Sequence, residues 1–431
     1  MKIGVLASYP DTRKDICDLL NLLSQEHNLV LYARNFEAKK FSLLLTTATV
    51  ITVTPFTGFT RFLQILWRFV YLVLGQIPVS RYNYYMTEHI KLLNSGYKKG
   101  PKFIQSTLLS LSKITPKIIS YDQYLNGLSW FKTTIEIQPD IDVFLCFTEI
   151  SSDEIFSKIL KQNKPVWTYV YSWDHPCKMK TFSKRTNYLV WNEGLKNDLI
   201  NLQNIHADQI QVWGATQFSY IENFLHFKPS ESQNLPYPFS YIYLGCATGY
   251  DKLARQEVKY CVQIAKQLNE ILPDWKLVFR PYPFQNNQKI YQPLLDLPNV
   301  VFDKSISIHD KLSAIQHSRA FFHFGTTMGY EAGYFDTPSF LIDLVNQKTD
   351  KLLYGFIHQY QNDKYLNTGP DSLVIKDWAE LAEIIKNLSN QKTYLYSNMK
   401  TRASTRLHTL PTLAEKLIKL ISLNNNHKIT A

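Results

Sequence analysis

Ala320-Phe321-Phe322-His323-Phe324-Gly325-Thr326-Thr327-Met328-Gly329-Tyr330-Glu331-Ala332-Gly333, followed by Asp336-Thr337-Pro338-Ser339-Phe340, reads as four pieces in order. They are a buried strand, a small-residue turn with two hydroxyls, a short helix and a proline-led return strand. A strand feeding a Gly/Thr turn at a helix start gathers unpaired N–H groups and the positive helix end, the makings of an anion site. The same residues also read as a tight strand–helix connection, with Gly for packing and Thr as a cap. What surrounds them has to decide.

Upstream, apolar runs alternate with helical stretches. Tyr241–Leu244 leads into Gly245-Cys246-Ala247-Thr248-Gly249, then a helix near Lys252–Ile271. Lys276–Phe279 leads into Arg280-Pro281-Tyr282-Pro283, and Val300–Phe302 precedes a helix near His309–His317. Before Tyr241 lies Lys228–Pro238, polar and Pro-rich like a linker. The first half shows the same alternation: strands at Ile3–Ala7, Leu29–Tyr32, Val50–Val53, Val143–Thr148, Val166–Tyr171 and Tyr188–Trp191, with helices at Lys14–Gln25 and Tyr121–Ile137. This is the pattern of parallel α/β sheets, whose ligands sit beyond the carboxyl ends of the strands. It predicts an N-terminal Rossmann-like domain at 1–227, a linker at 228–239, a second Rossmann-like domain at 240–410, and a closing helix and frayed tail at 411–431. Two such halves around a linker predict two domains facing a cleft.

The 431 residues carry a net charge of +11, so anionic partners are expected. Lys and Arg are dispersed, with no arginine-rich arm or nucleic-acid module, which argues against nucleic acid. Cys17, Cys146, Cys177, Cys246 and Cys261 are scattered, with no C-x-x-C pair. That pattern predicts reduced thiols in a cytosolic protein rather than a disulfide framework or zinc site. The N-terminus enters a strand directly and lacks a signal-peptide core. One segment, 57–77, raises a membrane question. Its apolar runs are far short of the roughly 20 residues a spanning helix needs. Thr57, Arg61, Gln64 and Arg68 fall on one helical stripe beside a wide Phe/Leu/Trp face. Two readings stand: a helix packed in the core, or one lying on an anionic membrane surface.

Ser172-Trp173-Asp174, Val190-Trp191-Asn192 with Lys196, and Val212-Trp213-Gly214-Ala215-Thr216-Gln217-Phe218 resemble motifs of a group of bacterial surface-carbohydrate glycosyltransferases. Arg280-Pro281-Tyr282-Pro283, and Gly325-Thr326-Thr327 through Glu331 to Asp336-Thr337-Pro338, resemble the donor half of GT-B glycosyltransferases and their CDP-glycerol glycerophosphotransferase cousins. There are departures. Tyr282 stands where the cousins carry His, Gly325 replaces a Ser, His175-Pro176 replaces Asn-Leu/Pro, and Ser219 follows Phe218 where Asp is common.

The resemblance implies the GT-B architecture, two Rossmann-like α/β domains. The implied reaction moves a sugar from a nucleotide-diphosphate sugar to a glycan or lipid-linked acceptor hydroxyl in surface-polysaccharide assembly. No metal and no bound cofactor are expected, and the expected place is the cytoplasm, with peripheral contact at the inner face of the membrane. Arg280, Gly325, Thr326 and Thr327 are then expected on the diphosphate. Glu331 is expected on ribose hydroxyls, and Gly245 and Thr248 in the first donor loop. Each also has a plain structural reading, an ion pair for Arg280 and Glu331 and a cap or turn for the others. On the acceptor side Asp174 is the expected general base and His175 its alternative. Lys178 tunes Asp174, Trp173 and Trp191 stack on sugar, and Ser8 lines the first loop. Competing readings are a CDP-glycerol-type polyol-phosphate transferase, a UDP-sugar 2-epimerase, and a non-catalytic nucleotide- or glycan-binding scaffold.

Overall fold

The computed structural model describes residues 1–7, 13–45, 47–53, 58–76, 110–111, 114–131, 136–147, 153–172, 175–178, 182–226, 236–246, 251–282, 287–303, 305, 307–359, 373–396 and 406–427. The chain divides into two compact units, Met1–Ser219 with Thr405–Ala431, and Tyr220–Ser404.

The first unit holds β1 (Lys2–Leu6), β2 (Asn28–Arg34), β3 (Thr49–Val53), β4 (Val143–Phe147), β5 (Val166–Tyr169), β6 (Asn187–Val190) and β7 (Ile210–Val212). They form one parallel sheet in the order β3-β2-β1-β4-β5-β6-β7. β4 and β5 are buried at every position, as strands covered by helices on both faces must be. The helix Tyr121–Trp130 starts at a capping box, Ser120 with Gln123, and ends seven residues short of the expected Ile137. Phe131 turns extended, and 132–135 lie outside the described residues.

The helix Gly58–Leu74 inverts what its pattern predicts. Gln64 is buried, and Arg68 reaches the buried Glu154 carboxylate. Trp67 donates to the Tyr124 carbonyl at 2.9 Å, and Tyr71 and Leu72 are fully buried. Meanwhile Phe59, Phe62 and Leu66 are 73%, 59% and 50% exposed. Core packing thus takes the side bearing Gln64 and Arg68, and much of the apolar face points outward. No helix among the described residues is long and apolar enough to cross a membrane.

The closing helix belongs to this first unit and runs from Leu410 to His427, through the Asn-rich stretch expected to fray. Trp213 donates to its Leu413 carbonyl at 3.0 Å, and it packs on the helix Lys14–Glu26.

The second unit holds β8 (Tyr241–Gly245), β9 (Lys276–Arg280), β10 (Val300–Phe302), β11 (Phe321–His323), β12 (Ser339–Ile342) and β13 (Val374–Ile375). Its parallel order is β10-β9-β8-β11-β12-β13. Alternate residues feed opposite cores. Ile242, Leu244, Leu277, Phe279 and Phe322 enter one, Tyr241, Tyr243, Val278 and Phe321 the other. In both sheets the strand order reverses at the first strand of the unit: between β1 and β4, and between β8 and β11. Ligands of doubly wound sheets bind beyond the strand ends at such reversals.

Candidate functional site

The opening stretch lies at the reversal of the second sheet. β11 ends at His323, whose buried ring accepts the Gly325 N–H on Nδ1 at 3.1 Å. Gly325 then turns with φ +107°, a left-handed conformation that favours glycine. Thr326 Oγ1 accepts the Met328 N–H at 3.5 Å, and Thr327 opens the helix Met328–Gly333 without a side-chain cap. The carbonyls of Thr326 and Thr327 accept from Gly329 and Tyr330, each at 3.0 Å. Among the described residues, no hydrogen bond uses the N–H of Thr326 or Thr327. Gly245 ends the neighbouring β8. A Cβ there would stand 3.1 Å from the Phe321 ring and 3.5 Å from the Met328 sulfur, so a larger residue would press on the Phe321 ring by a few tenths of an ångström.

Arg280 ends β9 and is spent partly inside the protein. It donates to Asp303 Oδ2 at 2.8 Å and to the Ser305 carbonyl at 3.2 Å. Tyr243 and the Ser305 hydroxyl also donate to Asp303, and the Ser305 N–H joins them at 2.8 Å. Burial pushes the Asp303 carboxyl up, but the donors from Ser305, Tyr243 and Arg280 outweigh it and hold it below its ordinary value. Glu331 sits in the first turn of its helix, with one oxygen accepting from Lys311 at 2.9 Å. Its other oxygen lies 2.8 Å from the same ammonium yet makes no hydrogen bond. The ion-pair readings of Arg280 and Glu331 therefore both hold as geometry.

A second polar cluster, absent from the sequence reading, lies past β1, β5 and β7 of the first sheet. Arg13 donates to Asp15 at 2.8 Å and more weakly, at 3.4 Å, to the Tyr171 carbonyl and to Gln217 Oε1. Its guanidinium stands 4.3 Å over the Tyr171 ring. Thr216 ties the cluster together: its hydroxyl donates to Asp15 at 2.6 Å and its N–H to the Tyr169 hydroxyl at 3.0 Å. Burial, opposed by the Thr216 hydrogen bond, pushes the Tyr169 phenol up to about 12. Arg13 Nε and Gln217 Nε2 are buried donors without hydrogen-bond partners, a pair that suits an acceptor oxygen. Thr216-Gln217 was visible in a motif. Arg13 carried no signal, because its partners lie up to 204 residues away.

Of the expected acceptor-side residues, His175 is buried edge-on against Tyr171 at 4.8 Å. Trp191 is buried edge-on against Phe218 at 5.2 Å, which leaves no face for a sugar. Lys178 closes the short helix His175–Lys178. Ser8, Trp173, Asp174 and Thr248 lie outside the described residues. Among the described residues, no group of three or more His, Cys, Asp or Glu side chains is placed to hold a metal ion.

No family model and no curated protein matches the chain. Solved structures do. A Listeria monocytogenes protein assigned as a UDP-N-acetylglucosamine 2-epimerase superposes with a TM-score of 0.52 at 10% identity, over 99% of this chain and 97% of that one. The S. aureus MnaA–UDP complex gives 0.50 at 10% identity, over 99% and 96%. The fold is GT-B. The calicheamicin glycosyltransferase CalG4 aligns with a TM-score of 0.48 at 11% identity, over 98% of each chain. At such identities a GT-B likeness is one of fold, two parallel-sheet α/β domains.

Proposed function

We propose that this protein is a transferase that moves a sugar from a nucleoside-diphosphate donor to an acceptor hydroxyl in cell-surface polysaccharide assembly, on the cytoplasmic side. The observation that carries the reading is the Gly325–Thr327 turn at the strand-order reversal, with two amides and two hydroxyls for a diphosphate. In this reading Thr326 and Thr327 hold the diphosphate, and Arg280 adds the N–H groups not spent on Asp303 and Ser305. The unbonded oxygen of Glu331 takes a ribose hydroxyl, and Gly245 and Thr248 flank the donor. Asp174 is the acceptor base. Lys178 tunes it, His175 is buried against Tyr171, and Ser8 and Trp173 are assigned to the acceptor, as is the Arg13–Gln217 pair. The chemistry needed is neutralisation of the leaving diphosphate and deprotonation of the acceptor.

A second reading, a UDP-sugar 2-epimerase, draws on the S. aureus relative bound to UDP and on the Listeria relative's assignment. A polyol-phosphate transferase is disfavoured by Tyr282 in place of His. The first test is a thermal-shift panel of UDP, CDP and GDP with their sugars. The expected result is stabilisation by one nucleotide, with the gain lost in Thr326→Val/Thr327→Val. NMR of the stabilising sugar nucleotide then separates transfer from epimerisation. A flat panel would sink both enzymatic readings and leave a scaffold.

A further inference from the structure

We infer that His323 is a positioning residue for the donor diphosphate, acting through the Gly325 amide without touching the ligand. This role rests on the donor reading of the Gly325–Thr327 turn, and it names what holds that turn in shape. His323 closes β11, level with Gly245 of β8 and Leu341 of β12, and its ring is fully buried. A ring so placed does not itself meet a phosphate. Its two nitrogens face the two ends of the turn instead. Nδ1 accepts the Gly325 N–H at 3.1 Å, at the residue with the left-handed φ of +107°. Nε2 lies against Gly329 in the helix Met328–Gly333, where a Cβ would stand only 2.9 Å from it. The ring is itself backed by Phe321, 5.6 Å away with the two planes 25° apart.

Thr326 and Thr327, whose amides are offered to the diphosphate, lie between those two contacts. One rigid ring therefore sets the spacing between the Gly325 amide and the helix that follows, before any ligand arrives. Donors fixed in advance in this way need no reorganisation when charge reaches them. Among the described residues, the Gly325 N–H makes no other hydrogen bond. An aliphatic side chain of similar volume would fill the space but leave that buried N–H without an acceptor, which costs free energy. The turn would then shift to satisfy it, and the Thr326 and Thr327 amides would shift with it. A bond from Gly325 also requires Nδ1 to be bare, so the neutral ring carries its proton on Nε2.

Two measurements on the full chain test this. The first needs no nucleotide: a long-range nitrogen–proton NMR spectrum, with the His323 signals assigned by their absence in His323→Asn. The expected tautomer has its proton on Nε2. A proton on Nδ1 would overturn the inference and leave the donor reading intact. The second compares affinities for whichever of UDP, CDP and GDP stabilises the parent. In His323→Asn the side-chain oxygen falls near the place of Nδ1, and affinity should stay within about twofold of the parent. In His323→Gln the oxygen falls near Nε2, and His323→Leu has none, so both should bind about tenfold more weakly. Melting temperatures without nucleotide show whether each variant folds, and where the leucine variant does not, the Asn–Gln comparison decides. Equal affinities in those two, or a folded His323→Leu that binds like the parent, would reduce His323 to packing. A parent that binds none of the three nucleotides would overturn the donor reading, and this role with it.

Discussion

Asp303 collects Tyr243, Arg280 and Ser305 around one carboxylate and so ties the end of β10 to β9 and β8 in the second sheet. Its carboxyl is held below its ordinary value in the fold, so its contribution is present above about pH 4 and lost as pH falls below that. Urea midpoints measured from neutral pH into acid should fall less steeply in Asp303→Asn than in the parent. At neutral pH that variant should lose about 3 kcal/mol, because Arg280 is left buried without its counter-charge. Gly325→Ala should cost about 1–2 kcal/mol at φ +107° and weaken nucleotide stabilisation, read by thermal shift. Arg280 and Glu331 were legible as charged residues near a turn. Their partners were not, because Asp303 and Lys311 sit 23 and 20 residues away on other elements.

At the scale of elements, the helix Gly58–Leu74 shows where periodicity stops informing. Its stripe of polar residues was plain in the sequence, and a stripe does not say which side is inside. The answer rests on Glu154, which lies 86 residues from Arg68 and gives its charge a buried partner. Burial works against the Arg68 charge, and Tyr124, Glu154 and Asp153 outweigh it. Glu154→Gln should therefore destabilise the first unit by about 3 kcal/mol in urea unfolding, because buried Arg68 loses its hydrogen-bonded carboxylate. Phe59→Ser should stay within about 0.5 kcal/mol of the parent. Most strands were legible to within two residues, because continuous apolar runs between turn signals mark a doubly covered parallel sheet. The helix Asn35–Leu44 went unread, and its Leu43 and Leu44 are exposed.

For the whole molecule, two compact units predict two unfolding transitions, and a nucleotide should shift only that of Tyr220–Ser404. Scanning calorimetry with and without the stabilising nucleotide checks this. A shift confined to the other transition would move the donor site to the first sheet. The alternation of strands and helices made the two-sheet architecture readable. The return of the chain at Thr405 was hidden, because the bond from Trp213 to Leu413 spans 200 residues and leaves no local pattern. That return also sets an order of completion during synthesis. The seven strands of the first sheet leave the ribosome early, while the helix that packs on Lys14–Glu26 leaves only after every strand of the second sheet. The unit begun first is finished last, so a nascent chain holds Trp213 and its surroundings uncovered until translation has passed Leu413.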